Sequence, residues 1–224
     1  MKKLFLPVLF IVLLPLSYSC GTKIGGYTLN ERDATTALRQ LLSIGARGGV
    51  SNSFSKETIM AAIFPGQIQK AMNTLSLLGL TGEVDRFTTS LSTAAERTAS
   101  ASVPIFVNGI ENIRFTDALS IIKGGGTSAT DYLKNSISDT LRRAVKPIMQ
   151  STLNEYKLNE QWNKIVKPAQ SIFGNKFSPD LAGIMSVLVT DAMFRKMAEQ
   201  EALVRTDVNA RTTPLLQKVF SRSW

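Results

Sequence analysis

The chain has 224 residues, with 26 Lys or Arg against 17 Asp or Glu, a single cysteine and no histidine. That composition excludes disulfide bracing within the chain, Ser-His-Asp and Cys-His nucleophilic machinery, histidine-ligated zinc and an imidazole base. Carboxylate chemistry, lysine-activated chemistry or no chemistry at all remain open.

Lys2 and Lys3 precede an apolar run from Leu4 to Leu16, and Ser17-Tyr18-Ser19 then leads to Cys20. A positive start, an apolar run and small residues make a secretory signal, removed from the mature protein. Its end resembles the lipobox of bacterial lipoproteins, where the cysteine is acylated and the chain is cut just before it. A lipobox ordinarily has an aliphatic residue where this chain has Ser17. The competing reading is an ordinary secreted protein with an incidental Cys20, but the sole cysteine falls at the end of the apolar run. That run is shorter than the ~20 residues a spanning helix needs, so the expectation is a tether rather than a span. Stable anchoring takes two or more acyl chains at about 0.8 kcal/mol per buried methylene. The diacylglyceryl and amide-linked groups of a mature lipoprotein meet that requirement.

The expected organisation is a signal peptide over 1–19, an acylated Cys20 with a flexible tether over 20–30, and one helical domain over 31–224. Removal of residues 1–19 leaves 205 residues, enough for a core of their own, and lowers the net charge from +9 to +7. A basic surface suits anionic envelope components. Nucleic acid is not an expected partner of an exported protein, and no basic run is longer than Arg142-Arg143.

After the tether the periodicity is helical. Leu38, Leu41, Leu42 and Gly45 form the first stripe, stopped by Gly48-Gly49. Ile68, Met72, Leu75 and Leu78 form a second, opened by Pro65 and closed by Gly79. Val84, Phe87, Leu91 and Ala94-Ala95 form a third. Val103 to Val107 is the one strand-like stretch, with a helix start near Pro104 as the competing reading. A short helix over Asp117–Lys123 is expected, with Thr116 as N-cap and Gly124-Gly125-Gly126 as its stop. The next begins at Thr127 or Ser128, where Ser128 and Asp131 have capping-box spacing. Its apolar face is Leu133, Ile137, Leu141, Val145 and Ile148, with Pro147 expected to kink or divide it. Trp162, Ile165 and Val166 mark a helix that should end before Pro168. Leu181 to Val204 is apolar nearly all round in its first half, which predicts the central helix. Asp191 and Arg195 interrupt its apolar run, which is then too short to cross a membrane. Thr213 caps the last helix and Pro214 opens it. The fold class expected is all-α, a single irregular multi-helix bundle.

Several segments, in this order, carry a family resemblance: Ala37-Leu38-Arg39 with Gly45, Leu78-Gly79-Leu80, Ala94-Ala95-Glu96, Pro104-Ile105-Phe106 and Asp117-Ala118-Leu119. Gly124, Ala129-Thr130-Asp131-Tyr132 and the run Ala210 to Phe220 complete the series. The chain resembles, over roughly residues 36–220, a bacterial family of exported proteins known as domain of unknown function 4197. The resemblance implies a helical fold and an export signal, often of lipoprotein type, in bacteria with outer membranes. It brings no catalytic or binding residues with it.

Lys123-Gly124-Gly125-Gly126-Thr127-Ser128 superficially resembles a phosphate cradle at a helix N-terminus. A P-loop, however, needs lysine after its last glycine, so a helix–helix turn is the better reading. Glu96, Asp117, Asp131 and Glu201 are carboxylates on predicted helices, any two of which could act as an acid/base pair if they met. Glu201 and Arg205 have the i, i+4 spacing of a surface ion pair. Asp117, Thr130, Tyr132 and Arg211 form a candidate polar cluster for binding or structure. Arg211 is expected to pin the last helix through a carboxylate such as Asp117. Trp224 alone does not argue for an outer-membrane barrel, which needs many alternating segments.

The function expected is a non-enzymatic, lipid-anchored binding or structural protein of the envelope, on the outer membrane facing the periplasm. No metal or cofactor is expected, and its partners are the membrane and another envelope protein or anionic component. The alternatives are a small-molecule or lipid-binding module lined by Met and Leu, and a carboxylate-dependent envelope hydrolase.

Overall fold

A computed structural model describes residues 27–173 and 179–221. The expected signal peptide, Cys20 and Trp224 lie outside the described residues, as does most of the expected tether. Among the described residues there are helices and no strand. In chain order they are α1 (Glu31–Arg47), α2 (Lys56–Ile63), α3 (Ile68–Leu77), α4 (Thr81–Asn112) and α5 (Ala118–Lys123). They continue with α6 (Ser128–Glu155), α7 (Leu158–Phe173), α8 (Leu181–Thr206), a 3-10 turn over Val208–Ala210, and α9 (Pro214–Phe220).

α8 packs against α1, α2, α4, α6 and α9, which makes it the central helix that its composition predicts. Met185, Val189, Phe194, Met197 and Val204 are buried along it, and among the described residues no helix is long and apolar enough to cross a membrane. α1 runs antiparallel to α4, with Gly45 and Val50 near Ala99 and Val103 and with Arg39 donating to the Ile113 carbonyl at 3.2 Å. α6 is antiparallel to α4, since Ile137 and Leu141 meet Gly109 while Thr98 meets Thr152. Gly45 lets α1 approach α8 closely, because a Cβ there would lie 2.9 Å from Met197 Cα.

α4 sets the long dimension of the bundle. Its 32 residues span about 48 Å at 1.5 Å per residue. The N-terminus of α1, the 3-10 turn and α9 gather beyond the Asn112 end of α4. α2, α3 and α7 pack around the Thr81 end, where Phe87 stacks on Trp162 at 5.5 Å and Phe64 lies 6.3 Å from the same indole.

Several boundaries differ from the sequence expectation. Residues 103–107 are neither a strand nor a helix start but the middle of α4. Pro104 and Pro147 are exposed, so the carbonyls of Ser100 and Arg143 that lose their intrahelical partners face water. Accordingly α6 is not divided at Pro147, and α7 runs through Pro168 to Phe173. The inner face of α6 continues through Met149 and Leu153, leaving Ile148 half-buried. α3 buries Ala71, Thr74 and Leu75, while Leu78 is exposed. α2 has no counterpart in the stripes read from the sequence. Its cap, Ser55 accepting from Thr58 N at 3.2 Å, is the signal that would have found it.

Candidate functional site

Two places concentrate polar side chains. One is a buried ionic cluster where α5, α6 and α8 meet, and the other is an open cleft between α4 and α7.

The buried cluster is built on the turn that superficially resembles a phosphate cradle. Gly125 and Gly126 take positive φ values of 68° and 53°, which reverse the chain between α5 and α6. The first N–H groups of α6 then point inward, where an anion is favoured by the free donors and the helix dipole. That anion is Glu201 of α8, fully buried. Its Oε1 accepts from Ala129 N at 3.0 Å, and its Oε2 accepts from Thr130 N and Thr130 Oγ1, both at 2.8 Å. Arg205 balances the charge, with Nη2 2.8 Å and Nε 3.0 Å from Oε1. The same guanidinium donates to the carbonyls of Ile122 and Ile121, at 2.8 and 3.2 Å, which end α5. Glu201 and Arg205 are therefore an ion pair as their spacing predicts, but an internal one rather than a surface one. The capping box read at Ser128 and Asp131 does not form: Ser128 Oγ donates to the Ile121 carbonyl, and Asp131 accepts from Thr127 Oγ1 at 2.8 Å.

The other polar candidates lie at the same end of the bundle without converging on one point. Asp117, not Thr116, is the N-cap of α5, its carboxylate accepting from Ser120 N at 2.8 Å. Tyr132 donates its hydroxyl to the Arg114 carbonyl at 2.8 Å and accepts from Thr116 N at 3.3 Å. Arg211 is buried, and it binds carbonyls rather than Asp117. Nε donates to Val204 O at 2.9 Å and Nη2 to Arg205 O at 3.0 Å, placing a cation at the negative end of α8. Thr213 caps α9 by accepting from Leu216 N at 3.2 Å, as expected.

The four candidate carboxylates do not form an acid/base pair. Glu201 faces Arg205, Asp117 caps α5, and Asp131 faces Thr127. Glu96 accepts from Asn52 N at 3.0 Å, where Asn52 turns the chain with φ 60°. Among the described residues no three Asp, Glu or Cys side chains are placed to hold a metal ion.

The cleft encloses about 680 Å³ and is lined by Glu83, Asp85, Arg86, Thr89, Ser90, Gln161, Lys164 and Ile165. Ile165 is the apolar residue of its lining. Arg86 pairs with Glu83 at 3.0 Å, and Asp85 pairs with Lys56. Gln161 and Lys164, one turn apart on α7, present an amide and an ammonium to the opening. A smaller hollow of about 190 Å³ lies between α1, α4 and α8, with Ala46, Val50, Ala99, Val103 and Met193 inside and Arg47 and Lys196 at its lip.

The groups with displaced ionisation lie elsewhere on the surface. A hydrogen bond from Lys146, then one from Gly183 N, holds the Asp180 carboxyl below its ordinary range. Backbone and Ser55 hydrogen bonds do the same for Glu57, and a hydrogen bond to Tyr156 raises Arg97.

A family model described as Protein of unknown function (DUF4197) matches residues 28–221. The chain belongs to that family. No curated protein and no solved structure matches the chain. The DUF4197 match opens just before α1 and closes just after α9, so the family spans the bundle from one end to the other and takes in both polar regions.

Proposed function

We propose that this DUF4197 protein is a lipid-anchored helical protein of the bacterial cell envelope, facing the periplasm from the outer membrane and binding another envelope component without transforming it. The observation that carries the reading is Cys20, the only cysteine, at the end of a positively led apolar run. The cleft between α4 and α7 supports a binding role. It offers donors, acceptors and both charges, while the carboxylates considered for catalysis each accept hydrogen bonds elsewhere in the fold.

Metabolic labelling with a fatty-acid analogue tests the anchor. The wild-type protein should carry label and fractionate with membranes, and Cys20→Ala should do neither; equal labelling of the two would overturn the reading. A photo-crosslinker at Gln161 tests the cleft, where a discrete adduct in cells is expected and its absence would remove the binding role.

A second reading has one specific observation behind it. The hollow lined by Val50, Val103 and Met193, with Arg47 and Lys196 at its lip, has the polarity for a short acyl chain bearing an anionic group. Native mass spectrometry of protein from its host should then show bound mass, and a clean apo mass would end this reading.

A further inference from the structure

We propose that the end of the bundle formed by the N-terminus of α1, the 3-10 turn and α9 rests on the phospholipid headgroups, so that the α4–α7 cleft projects away from the bilayer. This rests on the acylated Cys20 of the proposed function.

The first argument is reach. Tyr27 is fastened to the bundle. Its hydroxyl donates to Asp33 at 2.7 Å, and Lys218 of α9 lies 3.6 Å from the centre of its ring. Seven peptide units separate it from Cys20, which span at most about 25 Å when fully extended and about 15 Å as a relaxed coil. α4 alone extends the bundle by about 48 Å toward the opposite end. An inverted orientation, with Leu77 and the cleft against the lipid, would hold Tyr27 farther from the surface than the tether can stretch. Upright and reclining orientations remain.

The second argument separates those two. Among the described residues exposed aliphatic side chains are few, and two of them are at the anchored end: Leu203, in the last turns of α8, is 50% exposed, and Val208, in the 3-10 turn, is 63% exposed. Asp207 between them is turned back to cap Asn209 N at 2.9 Å, and Arg211 is buried against α8. Lys218 and Arg32, on the neighbouring α9 and the first turn of α1, are exposed. Exposed aliphatic side chains at the end nearest the anchor are the part of the surface that a headgroup layer can take up. Leu77 and Leu78, 89% and 43% exposed, sit at the far end, which the reach of the tether keeps from the lipid.

The test uses the chain's cysteine economy. With Cys20 acylated, a second cysteine can be labelled alone. Acylated full-length Val208→Cys and Leu77→Cys proteins, each carrying an environment-sensitive fluorophore, are bound to vesicles of phosphatidylethanolamine and phosphatidylglycerol that contain a headgroup quencher. The orientation predicts several-fold stronger quenching at position 208 than at position 77. Equal quenching, or stronger quenching at 77, on protein whose acyl mass is verified would overturn the orientation while leaving the anchor standing. Protein without acyl mass would overturn the anchor reading, and the orientation with it. Matching helical circular dichroism of both variants and the wild type shows that the labels report on the folded bundle.

Discussion

At the scale of single residues, Glu201 matters most. A fully buried carboxylate is tolerable only when its charge and its lone pairs are answered, and here two backbone N–H groups, one hydroxyl and one guanidinium answer it. Removing it strands Arg205 and leaves the first donors of α6 unpaired. Glu201→Ala should therefore destabilise the fold by about 3–5 kcal/mol, read as a shift in the urea unfolding midpoint. The double variant Glu201→Ala/Arg205→Ala should lose clearly less than the two single losses added together, because the pair is coupled. Additive losses would mean that the two side chains act independently. The sequence shows the pair through its i, i+4 spacing in the polar second half of α8. It does not show the burial, because that depends on α5 and α6 turning at Gly125 and Gly126 to enclose it. Arg211 is hidden in the same way: its partners are carbonyls at the end of α8, and a main-chain carbonyl leaves no trace in side-chain spacing.

At the scale of elements, apolar periodicity was a sound guide wherever a helix has one inner face. Leu38, Leu41 and Leu42 in α1, Val84, Phe87 and Leu91 in α4, and Leu181, Met185, Ala192 and Met197 in α8 are buried as that rule requires. It misplaced boundaries at Pro104, Pro147 and Pro168, since proline interrupts a helix only where the freed carbonyl has no substitute partner, and Pro104 and Pro147 face water. It missed α2 because eight residues hold barely two turns of pattern. Contact between elements also gives two glycines opposite meanings. At Gly45 a methyl group would meet the backbone of Met197 at 2.9 Å, whereas at Gly82 nothing lies within 4 Å. Gly45→Ala should destabilise by about 1–3 kcal/mol from overpacking, less the helix-propensity gain, and Gly82→Ala should stabilise by about 0.4–1 kcal/mol. Thermal unfolding of both variants checks the pair, and a neutral or stabilising Gly45→Ala would show that α1 and α8 can separate without loss.

At the scale of the whole molecule, the all-α class and the family were legible from the chain, whereas the cleft was not. Its lining comes from residues 83–90 and 161–165, some seventy positions apart, and no local pattern announces that α7 folds back against α4. The consequence of α4 reaching beyond α1 is mechanical. Near Thr81, α4 is flanked by the short α2 and α3 and by α7, while near Asn112 the helices α1, α6 and α8 brace one another. Amide protons of α2 and α3 should consequently exchange with deuterium well before those of α8, and uniform protection along the chain would contradict this. The pliant half of the protein is then the half that carries the cleft, so an incoming partner would meet helices able to adjust around it while the remainder stays rigid.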